Sequence, residues 1–249
     1  MPEHRRARLA GTRLLTVLDP EYPANLRTVA ARPPFLFLRG TLVPADWRAV
    51  AVVGTRLPSP AASSRAGSMA RALAEAGFTV VSGLARGIDT QAHLGALDAG
   101  GRTVAVLGTG IERTYPPENA ALADRVAGSG GLVSQFWPTA APSRTTFPRR
   151  NVVSAGLALA TVVVEASATS GARLQARLAL GQGRLVVLPE EMVRAEEWAR
   201  ALAARTGVAV VEGPDDLVDL LDRQSPPRAK AKGQPSPRMS GVPEQLRLL

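Results

Sequence analysis

At 249 residues the chain is long enough to bury a full core, and it suits one α/β domain with appendages better than two equal domains. It has no cysteine, which excludes disulfides, thiolate metal sites and cysteine nucleophiles, and its two histidines, His4 and His93, lie too far apart to suggest a metal centre. The formal charge of +9 is concentrated at the ends, +3 in residues 1–13 and +5 in residues 223–249, leaving +1 between them, so charge alone does not point to nucleic acid.

Residues 1–13 are basic, lack a sustained apolar period and are expected to be disordered. Residues 14–46 read as a lead-in segment packing on the core: a turn at Asp19-Pro20-Glu21-Tyr22-Pro23, a helical piece at about 24–29 stopped by Pro33-Pro34, and a strand at 35–39. From 47 to 221 the pattern is regular. Valine-rich apolar runs at 50–53, 78–81, 103–107, 131–134, 161–164, 185–188 and 208–211 alternate with segments of helical period at 61–75, 89–97, 118–126, 152–159, 173–180 and 195–205. Strands apolar on both faces, alternating with helices, specify an extended Rossmann-like, doubly wound α/β fold with a mainly parallel sheet. Such folds bind ligands at the carboxyl ends of the strands. Residues 222–249 form a Pro-rich basic tail, also expected to be disordered. No apolar run is long enough to span a bilayer and no apolar leader stands at the start, so the expectation is a soluble cytoplasmic protein without a membrane partner.

Polar punctuation falls after the apolar runs. Gly54-Thr55-Arg56 follows the first, Ser82-Gly83-Leu84-Ala85-Arg86-Gly87 the second, Gly108-Thr109-Gly110 the third, and Glu165-Ala166 with Ser170-Gly171 the fifth. Phe147-Pro148-Arg149-Arg150-Asn151 precedes the helix leading into the fifth. On the expected sheet these loops line one rim and bring Arg56, Arg86, Arg149 and Arg150 towards one cleft. The glycines of the 82–87 loop let backbone N–H groups approach an anion at a helix N-terminus; the alternative is a tight turn with Arg86 solvated. Phe147 could stack an unpaired base while Arg149 and Arg150 grip phosphate and Asn151 reaches a base edge or sugar. The alternative there is that Phe147 fills the core and the two arginines are solvated.

Enzyme signatures are missing. The turn at 54–58 lacks the second glycine of the dinucleotide fingerprint, Arg113 stands where the last glycine of the 108–113 stretch would be, and neither a Walker A nor a G-x-S-x-G sequence occurs. His93 lies one helical turn after Asp89; a catalytic pair is one reading, and an aspartate capping the helix with a histidine packed behind it is the commoner arrangement. No catalytic residue, metal or cofactor is expected.

Taken together, Tyr22-Pro23-Ala24-Asn25-Leu26, the stretch 33–40, Val53-Gly54-Thr55-Arg56, the block 80–93, the stretch 103–110, Tyr115-Pro116-Pro117-Glu118-Asn119, Phe147-Pro148-Arg149-Arg150-Asn151 and Val164-Glu165-Ala166 with Ser170-Gly171 resemble the DNA-processing protein A family, also called DprA or Smf. The resemblance covers about 20–221. It implies a single-stranded DNA-binding protein, not an enzyme, that dimerises and mediates processing of incoming DNA and RecA loading in natural transformation. By matching position it implies a DNA pocket of Gly54, Thr55, Arg56, Ser82, Gly83, Arg86, Gly87, Phe147, Arg149, Arg150, Asn151, Ser170, Gly171 and Arg173. The chain departs from the family pattern at Gln135, Gln175 and Glu190, and residues 193–204 read as a plain amphipathic helix. Two other readings stay open: a Rossmann sensor of a nucleotide or nucleotide-derived signal, and a degenerate paralogue whose basic tail alone touches nucleic acid.

Overall fold

A computed structural model describes residues 11–224. Its strands are β1 (Thr12–Thr16), β2 (Phe35–Gly40), β3 (Ala49–Val53), β4 (Thr79–Ser82), β5 (Thr103–Val106), β6 (Gly131–Ser134), β7 (Ala160–Val163), β8 (Leu185–Pro189) and β9 (Val208–Val211). The helices are α1 (Ala24–Arg27), α2 (Pro60–Glu75), α3 (Ile88–Asp98), α4 (Ala120–Ser129), α5 (Thr146–Leu157), α6 (Gly171–Gly181), α7 (Glu190–Ala195), α8 (Glu197–Ala203) and α9 (Pro214–Gln224). All these strands form one sheet in the order β1-β2-β6-β5-β4-β3-β7-β8-β9. From β6 to β9 the pairing is parallel, whereas β1 and β2 run antiparallel along one edge. The expected mainly parallel, doubly wound α/β architecture is the one found.

β3 shows why the helices lie on both faces. All five of its residues are buried, and alternate side chains point opposite ways. Val50 and Val52 pack with Ala66 and Met69 of α2 and Ile88 of α3, whereas Ala49 and Ala51 join Leu26 of α1 and Val153 and Leu157 of α5. On the first face α2 starts at Ser59, whose hydroxyl accepts the Ala62 N–H with Pro60 at the first helical position. The α2 and α3 backbones touch at Gly67 and Gly95, where a Cβ on Gly95 would come within 2.3 Å of the Gly67 carbonyl oxygen.

The winding reverses beside β3. The chain leaves β3 through α2 to reach β4 on one side, and leaves β7 through α6 to reach β8 on the other, opening a crevice above the carboxyl ends of β3 and β7.

Several boundaries differ from the sequence reading. Thr12 and Arg13 belong to β1, so the expected disorder of 1–13 does not hold for them; residues 1–10 lie outside the described residues. β1 was not anticipated, and with β2 it extends the sheet through β2–β6 pairs such as Phe37 with Ser134. The helix expected at 195–205 is two short ones, α7 and α8, parted by Glu196 in an extended conformation. α9 was not foreseen and carries the chain to Gln224, past the expected start of the tail at 222; residues 225–249 lie outside the described residues.

Candidate nucleic-acid interface

The crevice holds a cavity of about 420 Å³ walled by the loops after β3 and β7 and by the first turns of α5 and α6. The β3 loop is fixed by its backbone: Thr55 N–H donates to the Glu165 carbonyl at 2.7 Å, and the Thr55 carbonyl accepts from Ile88 N–H at 3.2 Å. Gly87, at φ +74°, presses on this loop so closely that a Cβ would lie 2.5 Å from the Thr55 carbonyl oxygen. Arg56 is thereby carried to the mouth of the cavity, exposed, with its guanidinium 5.4 Å from the Phe147 ring centre.

Residues 147–151 lie in α5 itself and not before it, which corrects the helix start expected at 152. Pro148 is tolerated because a proline in the first turn of a helix removes no intrahelical hydrogen bond. On a helix, positions i, i+3 and i+4 share a face, and here they are Phe147, Arg150 and Asn151, all lining the cavity. Arg149 is rotated off that face. It lines neither the cavity nor the notch described below, and its guanidinium sits 5.6 Å from the Phe136 ring centre.

Arg150 is 6 % exposed, seated on the backbone of Gly83, where a Cβ would fall 1.5 Å from its Nη1. Among the described residues its nearest counter-charge is the Asp89 carboxylate at 4.0 Å, and its Nε and Nη1 have no hydrogen-bond partner. Asp89 is itself buried and accepts the N–H groups of Gly83 at 3.1 Å and Ala85 at 3.4 Å. Burial pushes the Asp89 carboxyl upward in pKa against the pull of Arg150, and burial pushes Arg150 downward against the pull of Asp89. Arginine starts so high that Arg150 stays charged at neutral pH. From the other side Asn119 Nδ2 donates to the Leu84 carbonyl at 2.9 Å, holding a loop in which Leu84 has φ +60°.

The remaining polar wall comes from α6. The Ser170 hydroxyl caps it by accepting the Ala172 N–H, the Gly171 carbonyl accepts from Asn151 Nδ2, and Gln175, almost fully buried, donates to the Ser154 hydroxyl at 3.0 Å. The N-termini of α3, α5 and α6 all open on this rim, which favours an anionic ligand. Beside the cavity lies a notch of about 50 Å³, lined by Arg56, Gly83, Arg86, Tyr115 and Phe147. The Tyr115 and Phe147 ring centres are 5.9 Å apart. Arg86 reaches the notch already paired with Glu118, and the hydrogen bond it donates to that carboxylate raises its own pKa while lowering that of Glu118.

Of the residues expected to converge, Gly54, Thr55, Arg56, Phe147, Arg150, Asn151, Ser170 and Gly171 line the cavity, and Gly83 and Arg86 line the notch. Four do neither. Ser82 is fully buried and donates to the Val52 carbonyl at 2.7 Å, Gly87 is a packing contact, Arg149 faces Phe136, and Arg173 donates to the Ala168 carbonyl with its guanidinium over Trp198. Asp89 and Gln175 were missed as cavity residues. The signal for Asp89 was its place just inside a glycine-started helix, where a carboxylate can turn back to the preceding loop. His93 is wholly buried away from the cavity. Its Nδ1 donates to the Thr103 hydroxyl at 2.7 Å, since the Thr103 proton is committed to the Val80 carbonyl.

A model of the family DNA recombination-mediator protein A matches residues 13–222. Protein Smf of Synechocystis is 41% identical over 169 residues, covering 66% of this chain and 42% of that protein. The X-ray structure of DNA processing protein A from Streptococcus pneumoniae superposes with a TM-score of 0.78 at 31% identity, covering 88% of this chain and 77% of that one. DNA processing protein A from Helicobacter pylori, known for its single-stranded DNA binding mode, has the same fold with a TM-score of 0.75 at 22% identity, over 86% of this chain and 97% of that one. The chain spans about half the length of the curated relatives it matches.

Proposed function

The chain belongs to the DNA recombination-mediator protein A family, and from that premise we propose that it is a single-stranded DNA-binding mediator of DNA processing, of DprA type. The observation that carries this reading is the shared face of α5: an aromatic ring at the cavity mouth with Arg56 over it, and buried Arg150 behind. A base stacks on Phe147 or in the notch beside Tyr115, while its phosphates lie against Arg56 and the helix N-termini. Gly54, Thr55, Gly83, Arg86, Asn151, Ser170 and Gly171 complete the contact surface; Ser82 and Gly87 hold its loops, and Arg149 and Arg173 flank it. Binding of this kind needs no chemical step. Dimerisation, work in the cytoplasm and loading of RecA on incoming DNA during natural transformation complete the proposal.

Fluorescence anisotropy with a labelled oligo-dT tests it. Arg56→Ala is expected to weaken binding and make its salt slope shallower by about 1, whereas Phe147→Ala weakens it at unchanged slope, because only the first removes a phosphate contact. Wild-type affinity in both variants overturns the reading. A second reading, a mononucleotide or nucleotide-derived signal, draws support from the cavity's size, which lies within the usual small-ligand range. Displacement of the oligonucleotide by a mononucleotide at equal concentration favours that reading.

A further inference from the structure

We propose that the chain carries a second polyanion site, a basin for a nucleic-acid backbone at the end of the sheet opposite the cleft. This basin, of about 510 Å³, lies where β8 and β9 begin; Arg177 near the end of α6, Arg184, Arg205 and Gln224 at the end of α9 line it. A five-residue strand spans about 16 Å, so basin and cleft are separate surfaces.

Among the described residues no carboxylate lines the basin. Two other arginines at this end of the sheet are matched, Arg48 by Asp222 and Arg102 by Asp46. Among the described residues Arg177 and Arg205 have no ion pair, and Arg184 donates through Nη2 to the Asn25 carbonyl and the Thr28 hydroxyl while its Nε has no partner. The carbonyl ends of α6 and α9 also arrive here, each worth roughly half a negative charge, so the three guanidiniums leave a surplus of about two positive charges.

Three features select an extended phosphodiester over a small anion. The basin is open to solvent, guanidinium forks match phosphate oxygens, and the chain continues from Gln224 with five Arg and Lys residues against Glu244 alone in residues 225–249. An extended polyanion can meet both basin and tail charges; a lone phosphate cannot.

The test is binding of the full chain to a labelled oligo-dT and to a duplex across a salt series, with wild type, Arg177→Glu/Arg205→Glu, Arg56→Ala and the triple variant. Both basin positions are exposed, so the charge reversal is expected to leave the melting temperature unchanged; Arg177→Gln/Arg205→Gln replaces it if not. The expected result is roughly tenfold or greater loss of affinity at low salt and a slope shallower by about 2 in the basin variant, with the residual binding of Arg56→Ala reduced further in the triple variant. Wild-type affinity and slope in the basin variant overturn the basin. If in addition Arg56→Ala abolishes binding, the cleft stands without it; if only the basin variant loses binding, the cleft reading fails and the basin remains. Tighter binding to phosphatidylserine vesicles than to either nucleic acid also overturns the proposal.

Discussion

Asp89 and Arg150 are each about 95 % buried and set 4.0 Å apart, so each is the other's main electrostatic compensation. Removing one partner of a buried pair strands the other charge, at a cost of about 3–5 kcal/mol, while removing both together costs less. Arg150→Leu is therefore expected to lower the urea-unfolding free energy by roughly 3 kcal/mol, and Asp89→Asn/Arg150→Leu to recover part of it. Equal losses in both proteins would mean that the two groups do not interact. His93 contributes a pH dependence. Burial, helped by the charge of Arg150, drives its pKa down to about 3, below the ordinary value of 6.5. The unfolded chain then binds a proton that the folded chain refuses, so this contribution to stability is intact above pH 6.5 and declines by about 1.4 kcal/mol per unit as pH falls towards 3. Asp89, shifted upward, works in the opposite sense above its unfolded pKa, so the difference between wild type and His93→Asn isolates the histidine. Denaturation at pH 7 and pH 5 is expected to cost wild type about 2 kcal/mol more than the variant; parallel losses would exclude the histidine as the source.

At the level of elements, legibility follows burial geometry. β3, β4, β5 and β7 could be read directly because a strand covered on both faces has little freedom except valine, alanine and threonine. β1 could not be: Thr12–Thr16 is an edge strand with Arg13 and Leu14 exposed, and its identity comes from pairing with β2 and not from local pattern. The start of α5 was obscured because Pro148 reads as a breaker, although it sits where a helix accepts proline, and with the start misplaced Arg149 and Arg150 look equivalent. Helical phase alone separates them. The antiparallel edge also makes a prediction. β2 covers β6 through its backbone, and Phe37 and Leu38 are buried, so a chain beginning at residue 44 exposes a bare strand edge and an apolar surface. Size-exclusion chromatography with light scattering is expected to show it associated or aggregated. A monomer with the parent melting temperature would make the first 43 residues an independent appendage.

For the molecule as a whole, charge placement matters more than the total. The formal +9 implies a generally basic protein, yet residues 14–222 carry only +1, and among the described residues some arginines are held in ion pairs while Arg56 at the cleft and Arg177 and Arg205 at the opposite end of the sheet have none. Sequence could locate the terminal charge but not this division, because Arg102 is neutralised by Asp46, 56 positions away in the chain, while Arg56 has no such partner among the described residues. Under the proposed function the terminal residues and the folded body are expected to contribute separable terms to nucleic-acid affinity. Removing residues 225–249 takes away five bases and Glu244 and leaves the described fold intact through Gln224. The shortened protein is expected to bind oligo-dT more weakly at low salt and with a shallower slope, since fewer counterions are released. The proposed base stacking on Phe147 releases none and is kept by both proteins, so the gap between them narrows as salt rises. Adding Arg56→Ala together with Arg177→Glu/Arg205→Glu to the shortened protein then removes most of what is left. A shortened protein that fails to bind at any salt would assign all the affinity to the terminal residues and none to the cleft.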